Sequence, residues 1–274
     1  MSDCCAPSPP SSSMPSGSTE MASLPSFVLR PGATVPDWSV VTSPATKGAL
    51  LTMMKSEHVL HRWQGYTAAE DLVRSSLLRL YREYGRAPAV ADLARHAGVG
   101  EAEVRESLLR LRERDLVVLD AHAEIIEGAY PFTERDTGHR VRIDGRTVNA
   151  MCAVDALGAG DMSACDVEIE SRCRSCGAPV RITTRETGRA LDEVRPHTAV
   201  VWLGLRYEGG CAARSLCTVT SFFCTDDHLD VWRREQKSEP PGARLSVAEA
   251  FEAGRAIFRQ SLTNTNTISG PPAG

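Results

Sequence analysis

Near Thr133 the spacing of apolar side chains changes, and this change limits the fold more than any other feature of the chain. Before it, apolar residues recur every three or four positions; after it, they alternate or run in short blocks. Helices followed by strands predict an α+β fold. We expect a helical, winged-helix-like N-terminal module, then a mixed or antiparallel sheet domain with flanking helices. The 274 residues divide into a Ser/Pro/Gly-rich arm (1–30) carrying Cys4 and Cys5, the helical module (31–132), a thiol-bearing domain (133–264) and a loose tail (265–274).

The helices announce themselves by their ends. Thr67 and Glu70 make a capping-box pattern ahead of the stripe Val73, Leu77, Leu80 and Tyr84, and Gly85 stops that helix. Pro88 opens a second short helix ending at Gly98, and a third runs from Glu101 to Arg114 with Val104, Leu108 and Leu111 on one face. A short helix around Leu50–His61 precedes them. The strand-like runs Leu116–Leu119 and Glu124–Ile126 follow, and three helices plus a hairpin is the winged-helix order. In such a module the third helix would enter a major groove. Here Glu101, Glu103, Glu106 and Glu113 balance Arg105, Arg110, Arg112 and Arg114, so the module reads as scaffold and no nucleic-acid partner is expected.

Further on, Arg140–Ile143 and Arg146–Val148 flank Asp144-Gly145, a hairpin signal. Cys152–Leu157 reads as a short helix, Val167–Glu170 and Val180–Thr183 as paired strands, and Ala199–Leu203 and Val219–Phe223 as buried strands. Ser246 and Glu249 repeat the capping box before a stripe of Val247, Ala250, Phe251 and Phe258. Gly254 lies on that stripe, where it would let a neighbour pack close.

Composition is that of a soluble globular chain, with 42% hydrophobic and 24% charged residues and a net charge of −4. That charge supplies no global attraction for nucleic acid or anionic membrane. No stretch approaches the ~18 apolar residues of a membrane span, and the first residues lack the basic start and apolar run of a secretory signal. The expected compartment is the cytoplasm. There, nine cysteines point to metal binding or thiol chemistry rather than to disulfides, although a single Cys is usually a small buried hydrophobe.

Three clusters carry the chemistry. In Met151-Cys152-Ala153-Val154-Asp155, a thiol and a carboxyl three residues apart share a helix face and can reach one bound atom. An acid beside a thiol can hold its proton and return it to a leaving group. Cys173-Arg174-Ser175-Cys176-Gly177 is half of a zinc knuckle, and a structural site needs two more ligands. Cys165, Cys211, Cys217, Cys224, His197 and His228 are all open choices, none forms a second C-x-x-C, and a structural zinc at Cys173/Cys176 is left as the minor reading. The third cluster runs from Ser215 to Cys224. Cys217 enters an apolar strand and Cys224 ends it, facing the other way because their offset is odd.

Taken in order, these segments resemble the bacterial organomercurial (alkylmercury) lyases, the MerB family. The resemblance covers about residues 66–262 and rests on Val148–Leu157 with its C-A-x-D motif, Ser171–Val180, Ser215-Leu216-Cys217 through Phe222-Phe223, and Trp232 beyond. It implies that Cys152 and Cys217 are the mercury-binding thiols, with Asp155 as proton carrier and a further group able to touch the metal. Cys173 is similar to a family position regarded as structural. Cys176 stands where the family usually has another residue, and Thr218 where some members have a second, adjacent cysteine.

The implied reaction is protonolysis of a carbon–mercury bond, part of mercury detoxification. Soft Hg(II) prefers thiolates, two of them offset its charge, and the acid spares a carbanion from leaving unprotonated. No organic cofactor is required. The implied partners are the organomercurial substrate, cytosolic thiols and a mercuric reductase that accepts Hg(II). The alternative is a mercury- or zinc-binding winged-helix regulator, or a metal-sequestering protein without turnover. Asp155 argues against both, because a binder needs no acid.

Overall fold

The computed structural model describes residues 24–30, 32–55, 62–205, 207, 211–238 and 240–262. Strands β1 (Phe27–Arg30) and β2 (Ala33–Val35) form a small antiparallel ribbon, followed by helix α1 (Pro44–Lys55). Helices α2 (Ala68–Tyr84), α3 (Val90–Ala97) and α4 (Glu101–Glu113) pack on one another. Strands β3 (Val117–Leu119), β4 (Ile126–Ala129), β5 (Phe132–Thr133), β6 (Arg140–Ile143) and β7 (Arg146–Ala150) lead to helix α5 (Ala153–Ser163). After it come β8 (Val167–Arg172), β9 (Pro179–Arg185) and β10 (Ala190–Arg195). The last part holds β11 (Val200–Gly204), the short helix α6 (Leu216–Val219), β12 (Ser221–Phe223), α7 (Asp226–Glu235), β13 (Gly242–Ser246) and α8 (Val247–Phe258).

The chain is α+β. Strands β3 to β10 make one antiparallel sheet in the order β10-β9-β8-β6-β7-β5-β4-β3, and β11 is the centre of a second, between β12 and β13. The large sheet crosses Thr133, where the sequence changes character, since β4 and β5 pair through Gly128 and Thr133. The hairpin β3–β4 is therefore the edge of that sheet.

Local signals explain several elements. Both capping boxes form: Glu70 N–H donates to Thr67 Oγ1 at 3.2 Å and Glu249 N–H to Ser246 Oγ at 3.2 Å, and each glutamate reaches back to its cap. Gly85 ends α2 with φ 72°, and Asp144 (φ 48°) with Gly145 (φ 76°) turns β6 into β7.

Every residue of α5 is buried, Asp155 and Asp161 included. It packs on β6, β7 and β8 and, on its other side, against α8, which also touches the small sheet. Two glycines let α5 and α8 meet. A Cβ on Gly254 would lie 2.6 Å from the Val154 carbonyl oxygen, and one on Gly158 would lie 2.6 Å from the Gly254 oxygen.

Three expectations change here, and one strand was not foreseen. Phe27–Arg30, assigned above to the arm, is a strand: Leu29 is buried and Arg30 pairs with Asp71 at 3.1 Å, a partner too distant in sequence to be foreseen. The first helix begins earlier, at Pro44, and positions 56–61 of the expected span lie outside the described residues. The helix expected at Cys152–Leu157 runs from Ala153 to Ser163, with Cys152 as its cap. β10, whose residues are mostly exposed or half-buried, has no apolar run to announce it. Cys4 and Cys5 lie outside the described residues.

Candidate active site

Cys152 follows β7 by two positions and caps α5 in extended backbone (φ −154°, ψ −179°), so its sulfur stands where a Ser or Asp oxygen usually caps a helix. The Asp155 backbone N–H donates to Cys152 Sγ at 3.5 Å. Cap geometry thus turns the C-x-x-D spacing into proximity, and the helix N-terminus favours negative charge on the sulfur.

Cys217 arrives from 62 residues further on. It does not lie in a strand. Leu216–Val219 turns as one short helix, and Ser221–Phe223 is the strand. The β-branched run around Cys217 favours a strand, but side-chain anchors override it. Thr220 Oγ1 donates to the Leu216 carbonyl at 3.2 Å and accepts from Gly204 N–H at 3.0 Å, while Asp115 Oδ2 accepts from Ala212 N–H at 2.8 Å. The Ala153 N–H then donates to the Thr220 carbonyl at 3.3 Å, joining the start of α5 to the turn that carries Cys217.

The result is a compact triad. Cys217 Sγ donates to Asp155 Oδ2 at 3.7 Å, and one ligand atom from each of Cys152, Asp155 and Cys217 lies within 4.8 Å of the others. All three side chains are buried, at 5%, 4% and 6% exposure. Burial pushes the Asp155 carboxyl up to about 7, against the pull of hydrogen bonds from Cys152 and Cys217. Burial also raises the Cys152 thiol, and a hydrogen bond to Cys152 together with burial raises Cys217 well above an ordinary thiol. A carboxyl with a pKa near 7 can take up and deliver a proton at neutral pH.

Beside the triad is a small cavity of about 40 Å³, roughly the share of one water. Met53, Trp63, Tyr130, Leu203 and Phe258 line it. Among the described residues, the buried Trp63 Nε1 and Tyr130 Oη have no hydrogen-bond partner, and the two rings lie 5.8 Å apart. Sequence reasoning missed both residues, because nothing in their own neighbourhoods marks them. On another side Cys217 borders a larger cleft of about 400 Å³ that includes Arg135, Arg172 and Arg174.

The second thiol cluster gathers elsewhere. Cys173, Cys176, Cys224 and His228 each offer an atom within 4.8 Å of the other three, while Cys165, Cys211 and Cys217 are not part of it.

The family profile described as MerB, alkylmercury lyase, matches residues 132–259, a span that contains both clusters. An alkylmercury lyase of Staphylococcus epidermidis is 30% identical over 194 residues, 71% of this chain and 85% of the relative. The chain belongs to the alkylmercury lyase family. An alkylmercury lyase of Streptomyces lividans is 27% identical over 187 residues, 68% of this chain and 82% of that one. In fold, this member of the family is similar to the crystal structure of the mercury-bound form of MerB2, with a TM-score of 0.61 at 22% identity. That likeness covers 81% of this chain and all of the other. No helix among the described residues is long and apolar enough to cross a membrane.

Proposed function

We propose that the chain is an organomercurial lyase in which Cys152 and Cys217 bind mercury and Asp155 carries the proton. Family membership supports the substrate class. One observation carries the residue roles: a carboxyl that titrates near 7 lies between two buried thiols, beside an apolar cavity.

The reaction balances without a change of oxidation state. A thiolate of Cys152 or Cys217 bonds to R–Hg⁺, and Asp155 holds the proton that thiol gives up. The second thiol then adds as its thiolate, its own proton passing to solvent or to an added thiol, and donates charge to mercury, weakening the carbon–mercury bond. Asp155 delivers the proton to carbon, the electron pair of the broken bond becomes the new C–H bond, and R–H leaves. Hg²⁺ remains on two sulfurs. Each step uses an ordinary property of the group: thiolates are soft ligands, and a desolvated carboxyl keeps its proton until a stronger base forms beside it. Trp63 and Tyr130 suit an apolar R group. The chemistry needs no organic cofactor.

Cytosolic thiols or a mercuric reductase would remove the product. The arginine-bearing cleft beside Cys217 supports this exit, because anionic thiols would be drawn to it. The seven cysteines of the described residues are free, in keeping with a reducing cytoplasm.

We read residues 31–132 as a winged-helix-like scaffold and 133–264 as the catalytic domain. The exposed charges of α4 support scaffold over DNA binding: Arg105 pairs with Glu101 at 3.7 Å and Arg110 with Glu106, while Arg114 is held by the buried Glu70 at 3.0 Å.

The test is anaerobic incubation with phenylmercury and excess thiol, following benzene in the headspace. Repeated turnover is the expected result. Stoichiometric mercury binding with no benzene would mean a sequestering protein.

A further inference from the structure

We propose that Cys173, Cys176, Cys224 and His228 form a second metal site, a closed Cys₃His site for Zn(II) that does not take part in the carbon–mercury chemistry. The C-x-x-C half comes from the turn between β8 and β9. Cys224 follows β12, and His228 lies in the first turn of α7. These pieces come from both sheets, and their side chains converge without any change of backbone.

Two of the ligand–ligand distances already match a tetrahedron. With Zn–S bonds of about 2.3 Å, two sulfurs on one zinc lie about 3.8 Å apart. Cys176 Sγ and Cys224 Sγ are 3.7 Å apart, and Cys173 Sγ lies 3.9 Å from His228 Nδ1. Cys224 Sγ and His228 Nδ1, at 2.8 Å, share a hydrogen bond that the metal would replace by a small opening of that edge.

The surroundings are those of a metal knuckle. Gly177 N–H donates to the Cys173 carbonyl at 2.8 Å and Cys173 N–H to the Ala178 carbonyl at 2.7 Å, closing the turn. Thr198 Oγ1 holds the Cys224 carbonyl at 2.7 Å. Cys173 and Cys224 are buried against Trp202, Phe223 and Trp232, whereas Cys176 is exposed and gives the ion a way in.

Donor type and number select the metal. Three thiolates and an imidazole in a closed tetrahedron suit zinc and leave no open position for chemistry. The ion would tie the large sheet to the small one. It would also fix Arg174, whose backbone N–H donates to the Phe222 carbonyl at 3.0 Å and whose Nη1 donates to the Thr218 carbonyl at 2.7 Å, next to Cys217.

The experiment is metal analysis of the full chain, purified under reducing conditions from zinc-replete, mercury-free medium. About one zinc per chain is expected. The variants Cys176→Ser and His228→Ala should lower it at least about tenfold, and Cys152→Ser should leave it unchanged. Titration of the metal-free wild type with Co(II) gives an independent readout, with the strong visible bands of tetrahedral thiolate coordination expected. Zinc absent together with a weak octahedral cobalt spectrum would overturn the proposal. So would zinc retained by Cys176→Ser and lost from Cys217→Ser, or a Cys176–Cys224 disulfide found by mass spectrometry under the same reducing conditions.

Discussion

The two sulfur clusters of this chain draw on the same side chain and differ in everything around it. Cys152 and Cys217 share their site with a carboxyl, all three are buried, and apolar and aromatic residues border them. Cys173, Cys176 and Cys224 share theirs with an imidazole, and one thiol is exposed. The first set has two soft ligands and an acid, so a metal held there keeps room for a carbon substituent and a proton donor. The second has four ligands and no spare position. Coordination number and the company of an acid, rather than cysteine content, separate a site for turnover from a site for holding.

Substitutions test this contrast most sharply through activity. Cys152→Ser and Cys217→Ser should each lower release of benzene from phenylmercury by at least about a thousandfold, as expected when a group acts directly on the reacting atoms. Cys176→Ser, measured in the same assay, should stay within about tenfold of wild type and lose thermal stability instead. Equal losses in all three would erase the distinction between the clusters.

A second test concerns the cost of the buried acid. Asp155 titrates at about 7 in the folded chain, against about 3.9 when exposed. Between these values the folded state keeps a proton that the unfolded state has released, so stability falls as pH rises through that window. Replacement by Asn removes the dependence. Asp155→Asn should match wild type near pH 4 and become more stable above pH 7, by up to about 4 kcal/mol. Urea denaturation at several pH values measures this, and a constant difference across the range would contradict the assigned burial of charge.

Smaller effects lie further from the sulfur. Gly254→Ala forces a methyl group against the backbone of α5 and should destabilise by about 1–3 kcal/mol, lowering activity through the helix that carries Asp155. Thr67→Ala removes a cap from α2 at a residue that lines neither cluster, and should cost about 1 kcal/mol with turnover per folded chain unchanged. Thermal melts paired with the benzene assay separate the two.

What could be read from the sequence was local. Thr67, Glu70, Ser246 and Glu249 satisfy one another within four residues, and Asp144-Gly145 turns a hairpin by its own backbone preferences. Gly254 lay on its stripe where it would let a neighbour pack close, and Gly158 is that neighbour. Cys152 and Asp155 were legible because they stand three positions apart. Cys217 was recognised by resemblance but put in a strand, since a run such as Cys217-Thr218-Val219 favours extended backbone until Thr220 and Asp115 anchor it from elsewhere. His228 could not be chosen among the other candidate ligands, because its match to Cys173 depends on how two sheets meet. Trp63 and Tyr130 were invisible for the same reason.

The most direct test of the central claim is a single turnover on Asp155→Asn. The variant is loaded with one equivalent of phenylmercury, mercury retention is confirmed by metal analysis, and benzene is followed beside wild type at pH 7. Tight retention of the organomercurial with benzene release slowed at least about a thousandfold is the predicted result, since both thiols remain and only the proton is missing. Release at the wild-type rate would mean that the proton reaches carbon by another route, and Asp155 would lose its place in the mechanism.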